Sequence, residues 1–553
     1  MATCVLQQRA YNPLVPATHD LPNDLDQLKR LVLEHRSRVQ AQALEIERLK
    51  IQLARLRRWK FGRSSEQLDL QIEQIELSLQ VLQTVTPPPS EPVNATLQKI
   101  APAREHSRHP IRRALPAHLP RETIVHVDPG VASGCACRQC GGKLRKLGED
   151  VSEMLELVPG YFKVIRHVRE KHSCASCAGI VQAPAPSRPI ERGLPGPGLL
   201  AHVTAGKYCY HQPLYRQSEV YGYAGVSIAR STLTQWVGAA SRLVDPLVQA
   251  VRRYVLGGGQ LHADDTPLPV LDPGRGRTKT GYLWTYVRDE RPWGSASAPA
   301  VWFEYSANRR GEHPRRHLHE FRGVVHSDAY SGLNEMFAYP ALPKDVSRPD
   351  AGAGPPPMRR SLCWAHVRRK LYDLCIALDS PIARESVERI GELYAIERQI
   401  RGCTPEQRHR ERQKRAVPLL EALYTWWRGT LAQLSRTSAL AKAIRYAIKP
   451  THWPALTHYC SDGQVEIDNN AAERSLRTVT LGRKSYLFAG SDAGGERAAA
   501  MYSLIGSCKL NGIDPQSYLR YIFGCIADHP INRINELLPW NVTLPQSPSL
   551  CAA

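Results

Sequence analysis

Residues 259–271, GQLHADDTPLPVL, open a series of three β-rich segments. GYLWTYVRD (281–289) and AVWFEYSAN (300–308) follow, and glycine-, proline- and charge-rich loops separate them. A helical stretch, GEHPRRHLHEF, and a fourth strand, GVVHSDAY, come next, and SLCWAHVRRKLYDL continues as strand into helix. Three antiparallel strands, a helix and further strands predict a multidomain α/β protein with a ribonuclease-H-like core.

A helical, charge-rich region interrupts this α/β pattern at about residues 375–460. ARESVERIGELYAIERQI is its clearest helix. The pattern resumes at residues 467–491, IDNNAAERSLRTVTLGRKSYLFAGS, where one glutamate stands in a strongly basic stretch.

Carboxylates at strand ends are the candidate catalytic groups. Asp264 (with Asp265 beside it) closes a short strand, and Asp328 ends GVVHSD. Glu473 lies on a helix expected to begin near Asp468 or Asn469. Sites in open α/β sheets form where strands end, so these carboxylates are expected to converge and hold two Mg²⁺ (or Mn²⁺) ions for phosphodiester chemistry. Taken singly, each residue is more often a turn, a cap or a surface ion pair.

The basic residues after Glu473 are candidate DNA contacts. They are Arg474, Arg477, Arg483 and Lys484. On a helix Arg474, Arg477 and Lys484 are not expected to face one way, but some of them are expected to clamp phosphates.

Charge points to the same class of partner. The 553-residue chain carries Lys+Arg 73 against Asp+Glu 52, a net charge of +21, which favours a nucleic-acid partner over scattered surface charge. The sequence contains no run of eighteen apolar residues, so no membrane span is predicted. The N-terminus lacks a secretory pattern, so a cytoplasmic protein is expected.

The N-terminal segment, residues 1–83, has a seven-residue apolar repeat at about residues 21–60. One core series is Leu25, Val32, Val39, Ile46 and Leu53, and the second is Leu28, His35, Gln42, Leu49 and Leu56. The repeat favours a coiled coil that pairs protomers over a helix packed on its own chain. Residues 84–122 are rich in proline and basic residues and are interpreted as a linker.

Two C-x-x-C pairs define a zinc-binding domain at residues 123–190. They are Cys137 with Cys140, and Cys174 with Cys177. Four thiolates suit a closed, structural Zn²⁺ site, and the strand-like alternation between the pairs predicts a zinc ribbon. Cys135 is a competing ligand.

Residues 191–255 predict a helical, helix-turn-helix-like region. PLYRQSEVYGYAG and VSIARSTLTQWVGAASRLV give a helix, a glycine turn and a second helix, which Ser227 or Ser231 is expected to cap. Arg230 and Gln235 are the groove-facing candidates, and an ordinary helical hairpin is the alternative.

The chain resembles the insertion-sequence sixty-six family of bacterial transposases over nearly its whole length. The resemblance rests on RRWKFGRSSEQL, the two C-x-x-C pairs, AGKYCYHQPLYRQ, STLTQWVG, HADDTP, VVHSDAYSG, CWAHVRRKLYD, DNNAAERSLRTVTLGRKSYLFAGSDAGGERAA, KLNGIDPQSYL and LLPWN. It implies a DDE-type transposase with the triad Asp264, Asp328 and Glu473. Asp265 stands where the family usually has Glu, and Ala329 where it usually has Gly.

The resemblance also implies partners: terminal inverted repeats, target DNA and possible small accessory proteins of the same element, in the bacterial cytoplasm at the nucleoid. The catalytic domain is placed at residues 256–500 and a C-terminal helical region at 501–553. A catalytically inactive DNA-binding regulator and a ribonuclease-H-like repair nuclease are the alternatives, and a zinc hydrolase is disfavoured because four cysteines leave no open metal position.

Overall fold

The computed structural model describes short helical pieces between residues 26 and 52, and then residues 115–127, 144–158, 161–177, 180–191, 193–337 and 358–544. The chain divides into two compact units. One comprises residues 1–108, 364–399 and 410–457, and the other comprises residues 109–363, 400–409 and 458–553.

A four-stranded sheet begins the second unit. Its strands are β1 (Arg121–His126), β2 (Leu144–Val158), β3 (Tyr161–Cys174) and β4 (Ile180–Gln182). β2 and β4 pair with β3 antiparallel, and β1 pairs with it parallel. Along β3 the inward residues Phe162 and Val164 are buried, as the alternation predicted. Their side chains belong to the core of the second unit.

Four helices follow: α1 (Pro197–Tyr208), α2 (Leu214–Tyr223), α3 (Arg230–Leu243) and α4 (Asp245–Leu256). Gly225, with φ of +77°, turns the chain between α2 and α3, as the glycine predicted. The predicted serine cap of α3 is wrong, because Ala229 holds the N-cap position of this described helix without a side-chain hydrogen bond. Ser227 lies two residues too early, and Ser231 lies inside the first turn.

The central sheet contains β5 (Gln260–Asp272), β6 (Arg277–Arg288), β7 (Ala300–Ser306), β8 (Val324–Ser327) and β9 (Arg359–Leu362), with the short helix α5 (Glu312–His317) before β8. The strand order is β7-β6-β5-β8-β9. β5, β6 and β7 are antiparallel neighbours, whereas β8 runs parallel to both β5 and β9. The three β-rich segments of the sequence therefore form the antiparallel half of a mixed sheet.

Helices occupy the chain between β9 and the glutamate-bearing stretch. They are α6 (Trp364–Leu378), α7 (Pro381–Gln399), α8 (Pro405–Glu411), α9 (Val417–Gln433), α10 (Ala439–Ile448) and α11 (Trp453–Ser461). Within the first unit, buried Arg412 binds Glu397 through two hydrogen bonds of 2.8 and 2.6 Å. Glu47, on the N-terminal helical piece at 45–52, accepts a 2.9 Å hydrogen bond from the N–H of Ala439 at the start of α10. The remaining coiled-coil positions fall largely outside the described residues, and the coiled coil stays a prediction.

The last helices of the second unit are α12 (Asn470–Ser485), α13 (Asp492–Leu510) and α14 (Pro515–Cys525). α13 covers the outer edge of β7: the N–H groups of Val301 and Phe303 donate to the hydroxyls of Ser507 and Ser503, at 3.1 and 2.8 Å. These bonds satisfy backbone groups that an open edge would expose. The domain boundary placed at residue 500 falls inside α13, so this helix belongs with the sheet.

Candidate active site

Asp264 lies within β5 and not at its end. The expectation of a short strand is wrong, because β5 continues to Asp272 in antiparallel pairing with β6. The parallel pairing with β8, however, stops at His262. Asp264 therefore stands just beyond the end of the parallel part of the sheet, where polar sites are built.

Asp328 and Glu473 reach the same edge from other elements. Asp328 follows the last residue of β8, and its carboxylate accepts a 3.0 Å hydrogen bond from the N–H of Tyr330. Glu473 lies in the first turn of α12 and is half-buried. The helix begins at Asn470 with Asn469 as N-cap, as the sequence predicted.

The pKa of Asp264 reflects its burial and the charges of the other two carboxylates. Burial raises the pKa of Asp264 to about 7, and the N–H of Asp265, 2.8 Å from the Asp264 carboxylate, opposes this shift. The negative charges of Asp328, Asp265 and Glu473 raise this pKa further. The fold therefore brings the predicted Asp264, Asp328 and Glu473 into one electrostatic cluster.

Asp265 has a different environment from its neighbour. Its side chain is 6% exposed and accepts two hydrogen bonds from the Arg309 guanidinium, at 2.8 and 2.9 Å. Burial raises the pKa of Asp265, and Arg309 opposes the shift. Arg309 also lies 4.0 Å from Asp328. Asp265 is thus held in a salt bridge, whereas Asp264 faces the other carboxylates.

Asn469 is a functional-site residue that the sequence analysis treated only as a helix cap. It is fully buried, its amide nitrogen donates to the carbonyl of Ala263 at 2.8 Å, and its side-chain oxygen lies 3.2 Å from Nδ1 of His262. Its backbone N–H donates to Sγ of Cys363 at 3.1 Å. These bonds fix the start of α12 against β5, four residues before Glu473. The only signal in the sequence was the DNN triplet before a helix.

Cys363 also lies near the carboxylate cluster. It directly follows β9, and its Sγ atom lies within 4.8 Å of a carboxylate oxygen of Glu473. A thiol is a soft ligand, whereas hard cations prefer the carboxylate oxygens beside it.

The basic residues of α12 form two groups. Arg474, Arg477 and Lys484 are exposed, and at about 100° per residue they lie within a sector of about 80°. The expectation that they would face different ways is therefore wrong, because spacings of three and seven residues return to one helix face. Arg483 lies on the opposite side, where its guanidinium donates to the carbonyl of Pro267.

The two candidate DNA-contacting residues of the helix-turn-helix-like region have different surroundings. Arg230 and Gln235 are both exposed on α3. Arg230 lines the same pocket as Arg483, whereas Gln235 does not. The structure therefore brings one residue of α3 and one of α12 together.

Only half of the predicted zinc site lies within the described residues. Cys174 ends β3 and is buried with Leu144, and Cys177 is exposed in the turn before β4. Cys137 and Cys140, with Cys135, lie outside the described residues. The hairpin that carries the second pair has the strand arrangement of the predicted ribbon.

Comparison with known proteins places the chain among transposases. Residues 192–497 match the model of the Transposase IS66 family, and residues 503–540 match the IS66 C-terminal element. Residues 135–178 match the zinc-finger binding domain of transposase IS66, and residues 48–124 match the Transposase C of IS166 homeodomain. The chain belongs to the IS66 family of transposases, whose members are of the DDE type.

Relatives with the same extent occur in Sinorhizobium fredii. The uncharacterized protein y4hP is 39% identical over 506 residues, which cover 89% of this chain and 88% of that protein. The uncharacterized protein y4jD is 36% identical over 530 residues, 94% of this chain and 97% of that protein. Within the described residues, no helix is both long enough and apolar enough to cross a bilayer.

Proposed function

We propose that the chain is the transposase of an insertion sequence, with Asp264, Asp328 and Glu473 as its catalytic triad. In this proposal it binds terminal inverted repeats, cleaves the 3′ ends of the element and joins them to target DNA. One observation carries the proposal: in a transposase family member, Asp264 lies just past the end of the parallel strands, Asp328 directly follows β8, and Asn469 bonds the start of α12, whose first turn holds Glu473, to β5.

The sheet supports a ribonuclease-H-like core. Three antiparallel strands, then α5, then two strands parallel to β5 give the pattern from which this core was predicted. The helical region between β9 and α12 takes the place of the predicted insertion before Glu473.

The carboxylates fit two divalent cations, Mg²⁺ or Mn²⁺. Their oxygens are ligands for hard cations. Such cations would neutralise the negative charges that act on Asp264. When bound, two cations stabilise negative charge on the attacking and leaving oxygens of a phosphodiester. Asp264, Asp328 and Glu473 would hold them, while Arg309 keeps Asp265 in its salt bridge and away from this role.

The exposed basic face of α12 provides the DNA contact next to this site. Arg474, Arg477 and Lys484 follow Glu473 along one side of the helix, where their charges can bind phosphates in sequence. The zinc domain, with Cys137, Cys140, Cys174 and Cys177 as structural Zn²⁺ ligands, and the α2–α3 region with Arg230 and Gln235 would recognise the repeats. The N-terminal coiled coil would pair protomers, and small accessory proteins of the element would complete the assembly.

Cleavage of an end-labelled duplex that carries the element's own terminal repeat tests the proposal. Wild type is compared with Glu473→Gln in Mg²⁺ or Mn²⁺, with the exposed Glu496→Gln of α13 as matched control. We expect nicking at the repeat end in wild type and Glu496→Gln, and none in Glu473→Gln, which still binds. Specific binding without cleavage in wild type, even with the element's other products added, would instead support a DNA-binding regulator.

A further inference from the structure

A second site lies at the far end of α12 from Glu473. It is a pocket of about 570 Å³ within the second unit, formed by α1, α3, the end of α12, the 486–491 segment and the start of α13. Volumes of this size hold one small molecule or one nucleotide.

The pocket carries a concentration of positive charge. Lys207, Arg230, Arg483 and Arg497 line it, and none of its lining residues, all of which belong to the described part of the chain, is acidic. Burial lowers the pKa of Lys207 to about 8, and the charges of Arg497 and Arg230 add to this effect. Cations held this close together without a lining carboxylate favour an anionic ligand.

Aromatic side chains form the other part of the lining. Tyr215, 43% exposed, and Tyr486 line the pocket together with the buried Tyr208 and Tyr502, and the Nζ of Lys207 lies 5.5 Å from the ring centre of Tyr486. At the rim, Leu487 is 72% exposed and Phe488 is 43% exposed. Cations beside aromatic faces are the combination that binds unpaired nucleotides, with the base stacked and the phosphate paired.

The rim is fixed to the central sheet. Ala489 donates its N–H to the carbonyl of Pro269 and accepts from the N–H of Leu271, both at 2.8 Å. Arg483 donates to the carbonyl of Pro267. The 486–491 segment therefore extends the edge of β5 beyond the end of its pairing with β8, and it presents Leu487 and Phe488 from a rigid base.

The distance between the pocket and the carboxylates can be estimated along two elements, α12 and β5, with similar results. Along α12, Arg483 lies ten residues after Glu473, about 15 Å at 1.5 Å per residue. Along β5, Leu268 of the pocket lies four residues after Asp264, about 13 Å at 3.3 Å per residue. Either length corresponds to about four nucleotide steps of 3.4 Å.

We propose that this pocket receives one unpaired nucleotide of the DNA strand bound at the carboxylate site, about four steps from the reacting phosphodiester. The base lies beside Tyr215 and Tyr486, and the phosphate lies near Lys207, Arg230 and Arg497. Leu487 and Phe488 fill the gap left in the stack. Apolar side chains inserted into a base step act in this way in other DNA complexes. The inference rests on the proposed function in taking DNA as the ligand and in placing the reacting phosphodiester at the carboxylates.

The test compares the affinity of the purified chain for two duplexes, without metal and at one fixed salt concentration. One duplex is fully paired, and the other is identical except for a single unpaired nucleotide, so that the cost of unpairing is already met. Stacking of a base on aromatic side chains favours the duplex whose nucleotide is already unpaired, so wild type should prefer the second duplex by about fivefold or more. Phe488→Ala and Arg497→Gln should reduce this ratio to about threefold or less.

Matched controls are Tyr223→Ala, which removes an aromatic side chain that is 89% exposed outside the pocket, and Arg242→Gln, which removes an exposed arginine of α3 outside it. Both should keep the wild-type ratio. Equal affinity of wild type for the two duplexes, or a ratio that Phe488→Ala leaves unchanged, overturns the pocket assignment and leaves the transposase proposal standing. Failure of wild type to bind either duplex would count against both.

Discussion

Two adjacent aspartates show how far environment decides the role of a residue. Asp264 and Asp265 are chemically identical neighbours on β5. Asp265 forms a salt bridge with Arg309. The guanidinium carbon of Arg309 also lies 4.0 Å from the ring centre of Tyr330. Burial, together with the charges of Asp328 and Glu473, raises the pKa of Asp264 to about 7. The proposed function therefore gives a structural role to Asp265 and ion binding to Asp264.

The first prediction concerns this salt bridge. Arg309→Gln leaves the buried carboxylate of Asp265 without its cation, so we expect a loss of roughly 2–4 kcal/mol in the free energy of unfolding. Asp265→Asn added to Arg309→Gln should recover most of this loss. Denaturant unfolding of the metal-free protein measures the cycle, and simple additivity of the two substitutions would contradict the assignment.

The second prediction concerns Glu304 on β7. Burial raises its pKa to about 7, against the opposing charges of Arg316 and Arg252. A carboxyl whose pKa is higher in the folded than in the unfolded chain stabilises the fold at low pH. This contribution is lost as the pH rises through the folded pKa of about 7. The free energy of unfolding of Glu304→Gln should therefore exceed that of wild type by about 2 kcal/mol at pH 8 and by little at pH 5. Thermal or denaturant unfolding measures this difference. Exposed Glu312→Gln should show no such trend.

At the scale of elements, α12 carries both Glu473 and the exposed basic face proposed to contact DNA. The strands and α12 were predictable, because alternation and a polar triplet before a helix are local signals. The anchoring role of Asn469 was not predictable, because its partner His262 lies 207 residues away. The position of Asp264 inside β5 was also missed, because the antiparallel pairing with β6 that continues to Asp272 is not a local signal.

The third prediction tests that anchor. Asn469→Ala removes hydrogen bonds to His262 and Ala263 from a buried position, which should cost about 1–3 kcal/mol of stability. Because Glu473 then loses its fixed position, cleavage should also slow at least tenfold, with DNA binding retained. Neighbouring Asn470, whose side chain bonds to Asp468, provides the control as Asn470→Ala. Equal effects of the two substitutions on cleavage would argue against a positioning role.

The fourth prediction uses the uncapped start of α3. Ala229 has the extended backbone of an N-cap, with φ of −64° and ψ of 144°, and it is exposed. Ala229→Ser should therefore supply the missing hydrogen bond and raise stability by about 0.5–1 kcal/mol. A gain in thermal unfolding temperature for Ala229→Ser, absent for Ala229→Val, is the expected result. A loss for Ala229→Ser would mean that the cap geometry is wrong.

At the scale of the whole molecule, sequence and structure agree on the order of the parts. Motif spacing predicted the order zinc domain, helical region and α/β sheet, because each has its own local pattern. The residue-500 boundary lies inside α13, and the apolar pattern of this helix does not reveal that its serines cover the edge of β7. Contacts between distant parts of a chain leave no signal in local periodicity.

The fifth prediction concerns zinc. Wild type should contain one Zn²⁺ per chain, and Cys177→Ser should lose it, because removing one thiolate opens the four-ligand site. Hydrogen exchange should then rise in β3 and β4 while β5–β7 keep their protection. Cys403→Ser, outside the zinc domain, should retain the metal. Full zinc content in Cys177→Ser would exclude this cysteine as a ligand.

The central claim is that three carboxylates from two strands and a helix hold the ions for DNA cleavage. Binding of Mn²⁺, followed by electron paramagnetic resonance, tests it most directly in wild type, Asp264→Asn and Asp272→Asn, the last lying at the far end of the same strand. We predict that wild type and Asp272→Asn bind two Mn²⁺ ions and that Asp264→Asn loses at least one of them. Unchanged Mn²⁺ binding in Asp264→Asn would contradict the assignment.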